Sequence, residues 1–104
     1  MYSNDTDFNS TSPLTNTWRQ YVFTYNHSSP FTKQLFINGV AQSGTTLQAQ
    51  NSYTGTGTMR VGSIYSTGGV YANGRFAVAR IYNKILSTAE IQQNFNAVRG
   101  RFSV

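Results

Sequence analysis

The 104-residue sequence has no cysteine and very few side chains suited to catalysis or metal binding. Without cysteine, the chain can form neither a disulfide nor a thiolate metal site. Its only acids are Asp5, Asp7 and Glu90, and His27 is its one histidine. Glycoside hydrolysis needs two carboxylates held across the scissile bond, and zinc needs three or four ligands. The composition therefore predicts no enzyme, no cofactor and no metal, with a weak calcium site at Asp5 and Asp7 as the one open alternative.

The sequence also lacks a membrane-spanning run and a signal-peptide core after Met1, so no membrane insertion is predicted. Eight basic residues against three acidic ones give a net charge of +5. The basic residues are scattered along the chain, which favours a solubilising surface over a phosphate-binding patch. A nucleic-acid partner is therefore disfavoured, although a steep salt dependence of DNA binding would support one.

The abundant residue types are aromatic residues, Gly, Thr, Ser and Asn, a composition that favours strands and turns. Residues 1–16 are polar and predict an arm with little structure of its own, followed by one domain over residues 17–104. Alternating apolar residues predict about six or seven strands, in an all-β antiparallel β-sandwich. The predicted strands are 18–25, 32–37, 40–42, a short edge strand near 46–49, 58–63 and 75–82. The last is the most apolar and is expected to be the most central.

Two local patterns predict defined structure. Asn38-Gly39 between short apolar runs is typical of a tight hairpin, because a type I′ turn needs positive φ at both central residues. Ser87 and Glu90 have the Ser-x-x-Glu spacing of a capping box and predict one short C-terminal helix with Ile91 on its apolar face. Gly100 is expected to stop that helix.

A sugar-binding surface is the remaining site that the residue types allow. Sugar sites place aromatic faces against C–H groups, with amides and hydroxyls binding the sugar hydroxyls. The candidates are Tyr53, Tyr65 and Tyr71, all in or beside predicted loops. Core or rim packing is the alternative for each of them, since most aromatic residues in β-sandwiches pack.

Four motifs, in order along the chain, resemble those of laminin-G-like domains in the concanavalin-A-like superfamily. Thr17-Trp18 followed by Tyr-Val-Phe-Thr-Tyr-Asn at 21–26 resembles their "TWxxVAVTYD" strand, and Leu-Phe-Ile-Asn-Gly at 35–39 resembles "LYVNG". Met-Arg-Val-Gly at 59–62 is similar to their "xxIG" strand. The most specific motif is Arg-Ile-Tyr-Asn-Lys-Ile-Leu-Ser at 80–87 with Glu90 and Ile91, which resembles "VRIYNRALSxxEI".

The resemblance implies a jelly-roll β-sandwich. Trp18 is expected to have a structural role in it, as are Asn38 and Gly39 of the hairpin. Calcium-binding members have acids where this chain has Ala77 and Val78, so their metal site is not expected here. Family domains are longer than this chain, which implies either a fragment or a reduced sandwich covered by neighbouring chains.

Residues 92–102 resemble the tail of such domains in virion proteins of phages and large DNA viruses. That resemblance implies a non-enzymatic virion structural module, in a capsid decoration, fibre or tail. Its partners would be further copies of itself or other virion proteins. The alternative is a lectin-like module that binds glycans, located outside the cell.

Overall fold

The computed structural model describes residues 6–7, 16–46, 60–63 and 71–104. These residues form a three-stranded antiparallel sheet, a separate two-stranded ladder and one C-terminal helix. The elements are β1 (Thr6–Asp7), β2 (Tyr21–Tyr25), β3 (Lys33–Ile37), β4 (Val40–Ala41), β5 (Thr45–Thr46) and α1 (Thr88–Arg99).

The three-stranded sheet is built from the chain's first long aromatic and β-branched runs. Strand β2 pairs antiparallel with β3 along its whole length, from Tyr21 opposite Ile37 to Tyr25 opposite Lys33. Strand β4 pairs with the end of β3, placing Val40 opposite Ile37. The strands predicted at 18–25, 32–37 and 40–42 are confirmed, each with shorter bounds.

The turn between β3 and β4 is the predicted Asn-Gly hairpin. Asn38 has φ 50° and Gly39 has φ 80°, as a type I′ turn requires. Asn38 also binds the backbone of Gln20: its Oδ1 accepts from the Gln20 N–H at 2.9 Å, and its own N–H donates to the Gln20 carbonyl at 3.0 Å. These two bonds continue the β2–β3 pairing beyond the last strand residue and fix the register of the sheet.

The two-stranded ladder uses residues from the polar arm. Thr6 lies opposite Thr46, and Asp7 lies opposite Thr45. Part of the segment predicted to have little structure thus forms a strand pair with the predicted edge strand. That edge strand begins one residue earlier than expected, and residues 47–49 of the prediction lie outside the described residues.

The expectation for residues 58–63 and 75–82 was wrong where the structure describes them. Of the first segment, residues 60–63 contain a single bridge, between Ser63 and Tyr71. Residues 75–82 have neither strand nor helix structure, and every one of them is exposed. Their alternating pattern is suited to a strand, but a strand forms only when a neighbouring strand supplies the hydrogen-bond ladder.

Helix α1 begins as predicted. The Glu90 N–H donates to Ser87 Oγ at 3.1 Å, and the Ser87 N–H donates to Glu90 Oε1 at 3.2 Å, which together make the capping box. Ile91 and Phe95 are buried on one face of the helix, and Val98 is half-buried.

Helix α1 ends at Arg99 with Gly100 as its C-cap, which confirms the predicted stop. Gly100 has φ −61°, in the right-handed region, and hydrogen-bonded turns follow the helix through Phe102, whose N–H donates to the Arg99 carbonyl at 3.1 Å. The left-handed residue is Ser103, with φ 53°. The added turn brings the Phe102 ring to within 5.2 Å of the Trp18 ring, measured between centroids.

The core lies between the helix and one face of the sheet. Phe36, Leu86 and the fully buried Ile91 form its centre, and Val22 packs against them. Within the described ranges, it is the helix that covers this face of the sheet. The antiparallel sheet and the C-terminal helix agree with the predicted fold, while a full β-sandwich is not seen among these residues.

Candidate functional site

The outer face of the three-stranded sheet is largely apolar and partly open to solvent. Cross-strand partners share a face, so Tyr21, Phe23 and Val40 lie on the side opposite the core. Phe23 is 72% exposed, Val40 62% and Tyr21 44%. Leu35, on the same outer side, is buried. An exposed aromatic and aliphatic cluster of this kind is typical of an interaction surface.

A second exposed apolar stretch precedes the helix. Five large hydrophobic side chains between residues 75 and 85 are at least 45% exposed: Phe76, Val78, Ile81, Tyr82 and Ile85. Three basic residues are interspersed among these side chains in the sequence: Arg75, Arg80 and Lys84. This stretch therefore offers both apolar contact area and positive charge.

The start of this stretch is held by contact between the Phe76 ring and the backbone of Gly62. Gly62 has φ +79°, and a Cβ added there would lie 3.0 Å from Cε2 of Phe76, so the Phe76 ring rests on this glycine. The Ala72 N–H donates to the Gly62 carbonyl at 2.8 Å, next to the Ser63–Tyr71 bridge. Sequence reasoning missed this packing, because nothing in a single motif links Gly62 to Phe76.

Of the three predicted sugar-binding tyrosines, only Tyr71 is described. It is 63% exposed and stands at the bridge to Ser63. Tyr53 and Tyr65 lie outside the described residues. Tyr71 is therefore the predicted sugar-binding residue that the structure shows exposed to a ligand.

Trp18, predicted as a structural residue, is 40% exposed and packs at an angle of 47° on Phe102. Arg101 lies 5.7 Å from the centroid of the Phe102 ring, and Arg99 lies 5.1 Å from that of Phe95. These cations cover aromatic rings at the C-terminal end of the helix.

The one acid whose side chain is described is used for structure. Glu90 Oε2 is 2.8 Å from Lys84 Nζ, and Glu90 Oε1 completes the capping box with Ser87. The hydrogen bond from Lys84 and that from the Ser87 backbone hold the pKa of the Glu90 carboxyl below its usual value of 4.5. A carboxyl with a lowered pKa is ionised at neutral pH, which suits a cap and an ion pair rather than a general acid.

Other potential catalytic or metal-binding groups are dispersed. His27 is exposed in the β2–β3 connection, with its ring 6.2 Å from that of Tyr25. Across the described ranges, no three His, Asp or Glu side chains come together in a way that could hold a metal ion. Helix α1 is the one helix in these ranges, and its length and polarity do not suit a membrane span.

We expect Ser87→Ala to lower the free energy of unfolding by about 0.5–2 kcal/mol, because the Glu90 N–H loses its acceptor. Urea unfolding followed by far-ultraviolet circular dichroism measures the change. Ser87→Asp is the matched control, since it keeps a side-chain acceptor at the N-cap, and we expect it to unfold near wild type. Equal midpoints for Ser87→Ala and wild type would contradict the capping role.

The lowered pKa of Glu90 predicts the direction of a pH effect. Its pKa is lower in the folded than in the unfolded chain, so its contribution to stability is complete above the unfolded value. The contribution is lost as the pH falls through the folded value. Unfolding midpoints between pH 7 and pH 3 should therefore fall more steeply for wild type than for Glu90→Gln, and parallel curves would contradict this.

The described residues define a small antiparallel sheet module with a capped helix on one face and an exposed apolar surface. The chain belongs to the concanavalin A-like lectin/glucanase superfamily, because the Laminin G 3 model of that superfamily matches residues 1–92. This confirms the family resemblance of the motifs. No curated protein and no solved structure matches the sequence. The family is one of β-sandwich domains and takes in both lectins and glucanases.

Proposed function

We propose that this domain is a non-catalytic structural module that works through protein–protein contacts. The observation that carries the proposal is the exposure of its hydrophobic residues. Among the described residues, eleven large hydrophobic side chains are exposed and five hydrophobic side chains are buried. Such an excess is typical of a surface that another protein covers.

The chemistry of this surface favours a protein over a sugar as the main ligand. Phe23, Val78 and Ile81 offer no hydrogen-bonding group to a sugar hydroxyl. Burying them against a protein would contribute roughly 25 cal/mol per Å² of apolar area removed from water. The use of Glu90 in a cap and an ion pair supports a non-enzymatic role.

A virion is the setting that we propose for this module, as a capsid decoration, fibre or tail component. The support is the resemblance of residues 92–102 to the tails of virion proteins. Those residues lie almost wholly beyond the matched family region, which ends at residue 92. The partners in this proposal are further copies of the chain or other virion proteins.

Sedimentation of the chain at micromolar concentration tests the proposal. We expect wild type to sediment as a trimer or larger assembly, and Phe23→Ser and Val40→Ser, both on the outer face of the sheet, to reduce the assembled fraction. Gln93→Ser is the matched control, because Gln93 is an exposed polar residue of the helix, and we expect it to assemble like wild type. A purely monomeric wild type that unfolds cooperatively would overturn the self-assembly form of the proposal.

The second candidate is a lectin-like module. Two observations favour it: the family includes lectins, and the Tyr71 ring is exposed. Glycan-array binding followed by isothermal titration distinguishes the two candidates. Saturable glycan binding that Tyr71→Ala abolishes would replace the structural proposal, whereas hydrolysis of a glycan that Glu90→Gln abolishes would contradict any non-enzymatic function.

A further inference from the structure

Residues 75–82, named here the open segment, are held at both ends. At the start, the Phe76 ring rests on Gly62. At the end, Tyr82 Oη accepts a long hydrogen bond of 3.5 Å from Asn94 Nδ2 of the helix. Just beyond, Lys84 pairs with Glu90 and Leu86 is buried in the core. The segment is thus tied to the fold at each end.

Between these ties the backbone of the open segment has no hydrogen-bond partner among the described residues. Its side chains nevertheless have the apolar content of a strand, with Val78 49% exposed and Ile81 73% exposed. A strand-like segment with unpaired N–H and C=O groups is a template for pairing with another chain.

The charge on the segment selects between possible partners. Arg75 and Arg80 are exposed, and the described part of the chain supplies neither with an anionic partner. Glu90 is the only acid after Asp7, and it is already bound to Lys84. A second copy would bring the same positive charge, because the chain carries a net charge of +5. Charge complementarity therefore favours an acidic partner over a second copy.

We propose that the open segment binds an extended strand of another protein in which pairs of acidic side chains alternate with pairs of apolar ones, so that each face of the partner strand carries both kinds. This inference rests on the proposed function and names the chemistry of the partner. The partner's backbone pairs with the free N–H and C=O groups of residues 75–82. Its carboxylates meet Arg75 and Arg80, and its apolar side chains cover Val78 and Ile81.

Ties at both ends reduce the cost of this binding. A segment fixed at Gly62 and at the helix has fewer conformations to lose than a free loop when it becomes a strand. The side-chain period also fits, because in a strand Arg80 shares a face with Val78 while Arg75 shares the other with Ile81. Each face of the new strand would then combine one cation with apolar contact area.

The test uses an eight-residue peptide of the repeating sequence Val-Val-Glu-Glu, with both ends blocked. Binding to the isotopically labelled chain is followed by amide chemical shifts and by fluorescence anisotropy. We expect the shifts to concentrate in residues 75–82. Arg80→Glu should weaken binding by about tenfold, the scale of losing one close charge pair, and should improve binding of the same peptide with lysine for glutamate. Arg101→Glu is the matched charge control, and we expect it to bind nearly like wild type.

A second control separates strand pairing from charge attraction. The same peptide, methylated on alternate backbone nitrogens, keeps its side chains but cannot complete a ladder, and we expect it not to bind. Equal binding of the methylated peptide, or equal weakening by Arg101→Glu and Arg80→Glu, would overturn the proposal. Shifts in residues 75–82 that depend on protein concentration alone would make a second copy the occupant and overturn it too.

If the peptide does not bind, sedimentation of the same samples shows whether the acidic-strand inference alone has failed or whether the proposed structural function has failed with it. If the chain assembles but ignores the peptide, only the acidic-strand inference is wrong. If the chain is monomeric and ignores the peptide, the structural role and the inference both fail.

Discussion

Replacing Ile91 by alanine is expected to remove a large share of the free energy of unfolding and to lower the unfolding midpoint sharply. Ile91 is the one fully buried side chain among the described residues, and it joins the helix to Phe36 and Leu86. Truncating such a side chain costs about 2–5 kcal/mol, through lost transfer energy and the cavity left behind. A domain of about 100 residues has a total stability of only roughly 5–15 kcal/mol, so the loss is a large share of it.

Urea unfolding followed by circular dichroism measures this change, with Ile91→Val as the graded control. Removing one methyl group should cost about 0.5–1.5 kcal/mol, so the valine variant should fold with a lower midpoint. Gln93→Ala, on the exposed side of the same helix, should unfold near wild type. A wild-type midpoint for Ile91→Ala would mean that the core lies elsewhere.

Gly39→Val is expected to be the most damaging single change in the sheet. Gly39 has φ +80°, where a β-branched residue is strained. The position is also buried against the helix, since a Cβ there would lie 3.5 Å from Gln92 Cγ and 3.6 Å from Phe95 Cδ1. The first Cβ fits at ordinary contact distance, so the expected loss of about 1–3 kcal/mol comes from backbone strain and from the additional methyl groups.

Two controls test that explanation. Gly39→Asn should cost less than Gly39→Val, because asparagine tolerates the left-handed region better than valine does. Gly100→Ala should be neutral or stabilising, because Gly100 has a right-handed φ of −61° and open space around its Cβ position. Thermal melts of the three variants give the ranking. If Gly39→Val melts with wild type, the hairpin assignment is wrong.

The elements that the sequence predicted well are those with local signals. Asn38-Gly39 specifies its turn through the φ angles of two neighbouring residues, and Ser87 with Glu90 specifies a helix start within one turn. Ile91 and Phe95 then fall on the buried face because of the helical period alone. None of these features depends on a distant part of the chain.

The elements that the sequence predicted poorly depend on distant partners. The pattern of residues 75–82 specifies which side chains alternate, but the partner strand is not encoded within the pattern. Helix α1 stops at Gly100 as expected. The hydrogen-bonded turns that follow it were not predicted, and they bring Phe102 onto Trp18 from a distant part of the chain.

The same distinction applies to the candidate site. The apolar character of both faces around Tyr21 and Phe23 can be read from the sequence. Which face the helix covers cannot, because that depends on the long-range contact between Phe36 and Ile91. Exposure of Ile81 was equally unpredictable, since an apolar residue at a strand period is usually assigned to a core.

The contact between the hairpin tip and the helix also has a consequence for folding speed. The β2–β3–β4 sheet and helix α1 each form from residues close in sequence, and such local elements form within about 0.1–10 μs. Phe36 and Ile91, and likewise Gly39 and Phe95, are separated by more than half of the chain. Bringing them together requires closing that long connection, whose entropic cost precedes any gain from packing. We therefore expect docking of the hairpin on the helix to set the folding rate, since folding slows as the sequence separation of the native contacts grows.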